Sequence, residues 1–174
     1  MKRFSLYAIL LVIVTCLCLR PGLTSEVLGK IIFFVDKSEY NIDGQVYTMR
    51  MMPVILEGNF YVPVRDLAEA VGADVIWDGS GKSATVTREY NARRFVAVIK
   101  VGSDEITLTN TPGKGISAQF ITVKKIQMIP TPLIINGRLM APVRPLAEAL
   151  GNKVSWDAGS GTVTIYPGGE YRER

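Results

Sequence analysis

The 174-residue chain contains no histidine. That removes the commonest metal ligand and the commonest general base at neutral pH. Cysteine is nearly as scarce, because Cys16 and Cys18 are the only two and both sit in an apolar stretch near the N-terminus. If that stretch is removed, neither a disulfide nor thiol chemistry is open to the chain. A concentrated basic face is missing too. The formal charge is +4, but Lys2, Arg3 and Arg20 precede Glu26 in a stretch free of acids, leaving 17 of the 20 basic residues against 16 acidic ones. Holding DNA or RNA through phosphate neutralisation needs clustered Lys and Arg. The pairs Arg93-Arg94 and Lys124-Lys125 stand alone and read as solvated strand ends, so nucleic acid is not expected as a partner. No phosphate-cradling glycine loop and no Gly-x-Ser-x-Gly elbow occurs either.

The N-terminal stretch has its own chemistry. Met1-Lys2-Arg3 is followed by an uncharged, mostly apolar run from Phe4 to Leu19, closed by Arg20 and Pro21. At 16 residues this is short of the ~20 that cross a bilayer, and the layout is that of a secretory signal peptide. Residues 1–25 are therefore expected to be an export signal, and the chain from 26 to 166 a single folded unit. Contact with a membrane is expected only through the leader where it stays attached. Residues 167–174 are expected to form a disordered tail.

What the chain does have is a sentence written twice. Tyr61 to Asp78 reads YVPVRDLAEAVGADVIWD and Met140 to Asp157 reads MAPVRPLAEALGNKVSWD, with eleven of eighteen positions identical at a constant offset of 79. Random composition gives roughly one or two matches. The likeness extends to Pro53–Gly58 over Pro132–Gly137 and to Ala84–Thr87 over Gly161–Thr164, so the internal repeats cover about 31–88 and 95–166.

Each unit reads as a hairpin, a short helix and a closing hairpin. Asn136-Gly137 between Ile134-Ile135 and Leu139-Met140 is a strong type I′ turn signal, because both central residues tolerate positive φ. Pro63 and its counterpart Pro142 preset φ for helix entry. Val64, Leu67, Ala68 and Val71, and in the copy Val143, Leu146, Ala147 and Leu150, fall at i, i+3, i+4 and i+7, giving each helix one apolar stripe. Gly72 and Gly151 stand where a left-handed C-cap is wanted. Helices of about two turns do not persist alone, so a sheet must hold them. Strands are also expected at Ile31–Val35, Phe95–Val101 and Glu105–Thr109, with an exposed loop over 110–117. The expected fold class is α+β, in two pseudo-equivalent halves of mostly antiparallel sheet with one short helix each.

The repeated side chains invite a functional reading. Arg65 and Glu69 recur as Arg144 and Glu148 at i, i+4. They suit either a duplicated acid-gripping site or a plain intrahelical ion pair, and the ion pair is the expectation. Trp77-Asp78 and Trp156-Asp157 offer sugar-stacking platforms, but a Trp that alternates with Val on a strand is expected in the core, followed by an Asp that opens the turn. Tyr61 has no counterpart in the copy. Met49, Met51 and Met52 could hold Cu(I) in principle; placed on a strand, they are expected to fill core gaps instead. Of the acids, Asp66 becomes Pro145 and Asp74 becomes Lys153, so no carboxylate pair for glycoside hydrolysis survives duplication.

The run Val62-Pro63-Val64-Arg65, Ala68-Glu69-Ala70, Gly72, Trp77-Asp78, with its copy Ala141-Pro142-Val143-Arg144, Ala147-Glu148-Ala149, Gly151, Trp156-Asp157, resembles the copper amine oxidase N-terminal-like domain of bacterial cell-surface proteins. The resemblance spans about Ile31 to Ile165. It implies a stalk-like domain remote from the copper and quinone site, with no chemistry attached. The catalytic part of those oxidases supplies copper-binding histidines and a tyrosine-derived quinone, and this chain has neither histidine nor an Asn-Tyr pair. No enzyme activity and no cofactor is expected. The expectation is a secreted or surface-held binding and spacer module whose partner is a cell-wall polymer, a surface protein or a second copy of itself. The alternatives are a carboxylate-dependent wall or polysaccharide hydrolase, and a homodimer formed through a sheet edge near Phe95–Val101.

Overall fold

The computed structural model describes residues 29–112 and 121–168. The expected leader and residues 169–174 of the expected tail lie outside them. The described chain runs β1 (Ile31–Phe34), β2 (Glu39–Ile42), β3 (Gln45–Thr48), β4 (Val54–Leu56), β5 (Asn59–Pro63), α1 (Val64–Ala70), β6 (Ala73–Asp78) and β7 (Ser83–Tyr90). It continues through β8 (Arg93–Lys100), β9 (Glu105–Pro112), β10 (Thr122–Gln127), β11 (Leu133–Ile135), β12 (Arg138–Pro142), α2 (Val143–Ala149), β13 (Asn152–Asp157) and β14 (Thr162–Pro167). Among the described residues every strand pairing is antiparallel, and two seven-residue helices accompany the strands in an α+β fold.

The strands form three sheets, ordered β13-β14-β1-β2-β3, β10-β9-β8-β7-β6 and β11-β12-β5-β4. The hairpin that follows α2 thus completes the sheet begun by β1 to β3, and the hairpin that follows α1 joins the sheet of β8 to β10. Between them β5 and β12 pair directly, with Ala141 opposite Val62. Tight turns set the registers. At Asn136-Gly137 φ is 48° and 73°, and at Glu57-Gly58 it is 50° and 75°, so both loops take the left-handed pair that matches strand twist.

The helices end as their glycines dictate. Pro63 and Pro142 enter them at φ −58° and −62°. Gly72 and Gly151 leave them at φ 68° and 79°, their amides donating to the carbonyls of Glu69 and Glu148 at 3.1 and 3.0 Å. Gly151 also lies hard against the Phe95 ring, which a β-carbon there would meet at 3.1 Å. The apolar stripes are fully covered: Leu67, Val71, Leu146 and Leu150 join Ile31, Phe33, Val86, Ile99 and Ile165 in one continuous core. Burial of such side chains, at roughly 25 cal/mol per Å², holds helices too short to stand alone.

Four expectations need correction. Strand Phe95–Val101 is no sheet edge: as β8 it lies between β7 and β9 at the centre of its sheet. Residues 110–112, expected in a loop, belong to β9, which pairs with β8 as far as Pro112; 113–117 lie outside the described residues. Pro167 belongs to β14, opposite Asn152, and not to the tail. Met49, Met51 and Met52 lie in the connection from β3 to β4 and share no strand face; Met49 is buried and Met52 half exposed.

Candidate functional site

Sequence reasoning placed Trp77 and Trp156 in the core, yet both stand 41% exposed. The cause is the length of the helices. Along β6 burial falls away from Ala73, which α1 covers, to Trp77 and Asp78 beyond its reach, and β13 shows the same gradient from Asn152 to Trp156. Alternation fixes the face of a strand residue, but where the covering layer stops decides its burial.

Around Trp156 the exposed indole faces an open groove of about 240 Å³. Its opposite wall is the β4–β5 hairpin, through Ile55, Asn59 and Phe60. The near wall is the start of α2, where Pro142 leads into Arg144 and Pro145. The Phe60 and Trp156 rings approach to 6.2 Å between centroids at a tilt of 36°, a geometry that favours aromatic pairs. Arg144 and Trp156, the repeated residues in question, therefore line one surface. No acidic side chain lines it among the described residues. Arg144 lies 3.9 Å from Glu148 on the same helix, both partly in solvent, a pair that leaves the guanidinium available for a further acceptor.

The first copy departs from this. Glu69 does not pair with Arg65; it accepts from Arg50, whose Nη2 and Nη1 donate to its two carboxylate oxygens at 2.8 and 2.9 Å. Arg50 Nη1 also donates to Asp66 Oδ1 at 2.5 Å, and the Arg50 amide donates to Asp66 Oδ2 at 3.2 Å. Asp66 is 2% exposed, so its charge has to be met inside the fold, and Arg50 from the β3–β4 connection meets it. In the second copy Pro145 replaces Asp66 and Ile129 stands where Arg50 does, so that cluster has no counterpart and Glu148 keeps its own helix partner. Arg65 is left exposed. Burial raises the Asp66 pKa more than the Arg50 hydrogen bonds lower it.

Asp78 and Asp157 open turns. Asp78 Oδ1 accepts from the Ser80 amide and hydroxyl at 2.9 and 2.6 Å, and Asp157 from the Gly159 amide and Ser160 hydroxyl at 2.9 and 2.7 Å. Those donors, the serine hydroxyl first, hold both carboxyls below the ordinary range. Tyr61 is buried and donates to the Thr131 carbonyl at 3.0 Å.

Sequence reading missed Arg88, which is 1% exposed on the core face of β7. Its signal was present: Ala84, Val86 and Arg88 alternate in SATVTREY, so the arginine falls on the apolar side. Asn152 escaped notice for a like reason, sitting in the copy where Ala73 stands. It is buried, donating to the Ala147 carbonyl at 2.9 Å and accepting from Arg88 at 2.7 Å.

These features define a class: an antiparallel β domain with, among the described residues, two short helices and an open groove lined by aromatic and arginine side chains. The chain belongs to the copper amine oxidase N-terminal domain family, whose model matches residues 41–165. No curated protein and no solved structure matches it. In the amine oxidases that N-terminal domain is non-catalytic. The residues here do not fit the copper of the family's name, since the chain has no histidine and, among the described residues, no group of three or more Cys, Asp or Glu could hold a metal ion. Met49 and Met52 do not supply the lack, with one in the core and the other turned to solvent.

Proposed function

We propose that the chain is a non-catalytic binding and spacer module, exported by residues 1–25 and working at the cell surface with a wall polymer as its partner. The observation that carries the reading is the groove, where an indole face, a guanidinium and an amide meet on an otherwise apolar wall. An exposed indole suits the C–H face of a sugar ring, while Arg144 and Asn59 supply hydrogen bonds to its substituents. The absence of a lining carboxylate among the described residues accords with binding rather than glycoside cleavage.

In this proposal the unit spans 26–166 and consists of two pseudo-equivalent halves that exchange closing hairpins. Support comes from the matched sheet orders β13-β14-β1-β2-β3 and β6-β7-β8-β9-β10 and from the β5–β12 contact between them. Such exchange makes a stiff spacer, because neither half closes its sheet alone. A second copy remains a competing partner: β3 is an edge strand whose residues, Val46 and Tyr47 among them, are all exposed.

The test uses the chain from Glu26 onward with purified wall polymer, scoring sedimentation and release of soluble fragments. Retention without release is expected. Fragment release that one Asp or Glu substitution abolishes would make the protein a hydrolase, and retention only on intact cells would move the partner to a surface protein.

A further inference from the structure

The core-facing side of the second sheet does not stop where α2 stops covering it. Antiparallel registers place Arg88, Phe95, Asn110 and Thr122 in one cross-strand row, with Tyr90 and Arg93 in the next. Alternation keeps all of them on the face that carries Val86, Ala97 and Leu108 into the core. The result is a cavity of about 520 Å³ walled by Tyr90, Arg93, Asn110, Thr122 and Lys124, with Phe95 and Leu108 on its apolar side. No acidic side chain lines it among the described residues.

Two further observations bear on what it takes. Asn110 Oδ1 is buried without a hydrogen-bond partner. Arg88 packs behind the cavity wall, its guanidinium carbon 4.5 Å from the centroid of the Tyr90 ring. Its Nη1 donates to two neutral acceptors, Leu150 O at 2.8 Å and Asn152 Oδ1 at 2.7 Å, while Nε and Nη2 have no partner. No carboxylate among the described residues pairs with it. A buried cation met only by neutral groups projects its field into the nearest space, and low-dielectric walls focus that field.

We infer that this cavity binds an organic carboxylate, with Arg93 as the direct charged partner, Asn110 and Thr122 as orienting polar groups and Arg88 as a fixed positive charge behind Tyr90. An inorganic anion would leave the Phe95 and Leu108 wall bare; a carboxylate on a carbon skeleton covers it. The carboxylate has two available sources, a separate acidic molecule or this chain's own Glu170 or Glu173, which follow Gly168 on the cavity rim by two and five residues. The inference stands apart from the Trp156 groove.

The experiment is a titration of the ¹⁵N-labelled full chain with N-acetyl-L-glutamate, with N-acetyl-L-glutaminamide as the neutral control, read at the amides of Asn91, Asn110 and Gly151. Saturable shifts with the acid and none with the amide are expected, and Arg93→Gln weakens the acid about tenfold, on the scale of one charge-assisted hydrogen bond. A full-length Glu170→Gln, Glu173→Gln variant separates the sources. Tighter binding of the acid than in wild type marks the chain's own glutamates as the resident ligand, and unchanged binding marks a separate one. Still amides in both proteins, or equal shifts from the neutral control, would overturn the assignment.

Discussion

Trp77 and Trp156 stand at matched positions of β6 and β13 and expose the same fraction of their surface, 41%. A tryptophan left in solvent forgoes a large apolar gain. Here it happens twice, each time on the strand that follows a short helix and past the part of it that the helix covers. The stability of the fold rests elsewhere, on the shared core, on positive-φ turns and on a few buried polar groups.

Arg50 is the first of those supports. Arg50→Ala strands the Asp66 carboxylate at 2% exposure and is expected to cost about 2 kcal/mol, offset in part as the carboxyl takes up a proton. Arg65→Ala, which removes the arginine of the repeated motif from an exposed site, is expected to stay within about 0.5 kcal/mol. Urea midpoints of the two variants check the order, and equal losses would return Arg65 to a structural pairing.

The β7–β8 turn carries local strain. Asn91 and Ala92 hold φ of 49° and 55°, and alanine tolerates that region poorly. Ala92→Gly is expected to stabilise the domain by about 0.5 kcal/mol, the strain relieved less the entropy glycine adds to the unfolded chain. Thermal denaturation reads the gain; a lower melting temperature would mean that the turn differs.

The acid limb of stability belongs partly to Asp78 and Asp157. Both folded-state pKa values lie below the unfolded value of ~3.9, so the folded protein binds fewer protons there. Their contribution is full above about pH 4 and is lost as pH falls through the folded values. Asp78→Asn with Asp157→Asn is expected to flatten the decline of the urea midpoint below pH 4. Asp66, raised by burial, works in the opposite sense, favouring the fold as pH falls toward the ordinary carboxyl range. An unchanged acid limb in the double variant would place the titration elsewhere.

Much of this was legible in the chain. Asn136-Gly137 announced its hairpin, the i, i+3, i+4, i+7 stripe announced each helix, and the repeat of eleven residues in eighteen announced that a strand, a helix and a second strand would recur in the same order. Local chemistry fixes those features. The pairing of β14 with β1, and of β7 with β8 at the centre of a sheet, joins segments whose partners no local pattern names, so Phe95–Val101 could pass for an edge. Trp156 shows the same limit at the site: period-two alternation gave its face, while its exposure depended on the length of α2. Glu69 and Glu148 look alike in sequence, yet Asp66 in one copy and Pro145 in the other gave them different partners.

The central proposal is that the duplicated tryptophans bind a partner without bond cleavage. The measurement that meets it most directly is sedimentation of the chain from Glu26 onward with purified wall polymer, comparing wild type with Trp77→Ala, Trp156→Ala after circular dichroism has established that both are folded. The account predicts retention of the wild type, a loss of about tenfold or more in the double variant, and no soluble fragments from either. Equal retention of the two proteins, or the release of fragments by the wild type, would contradict it.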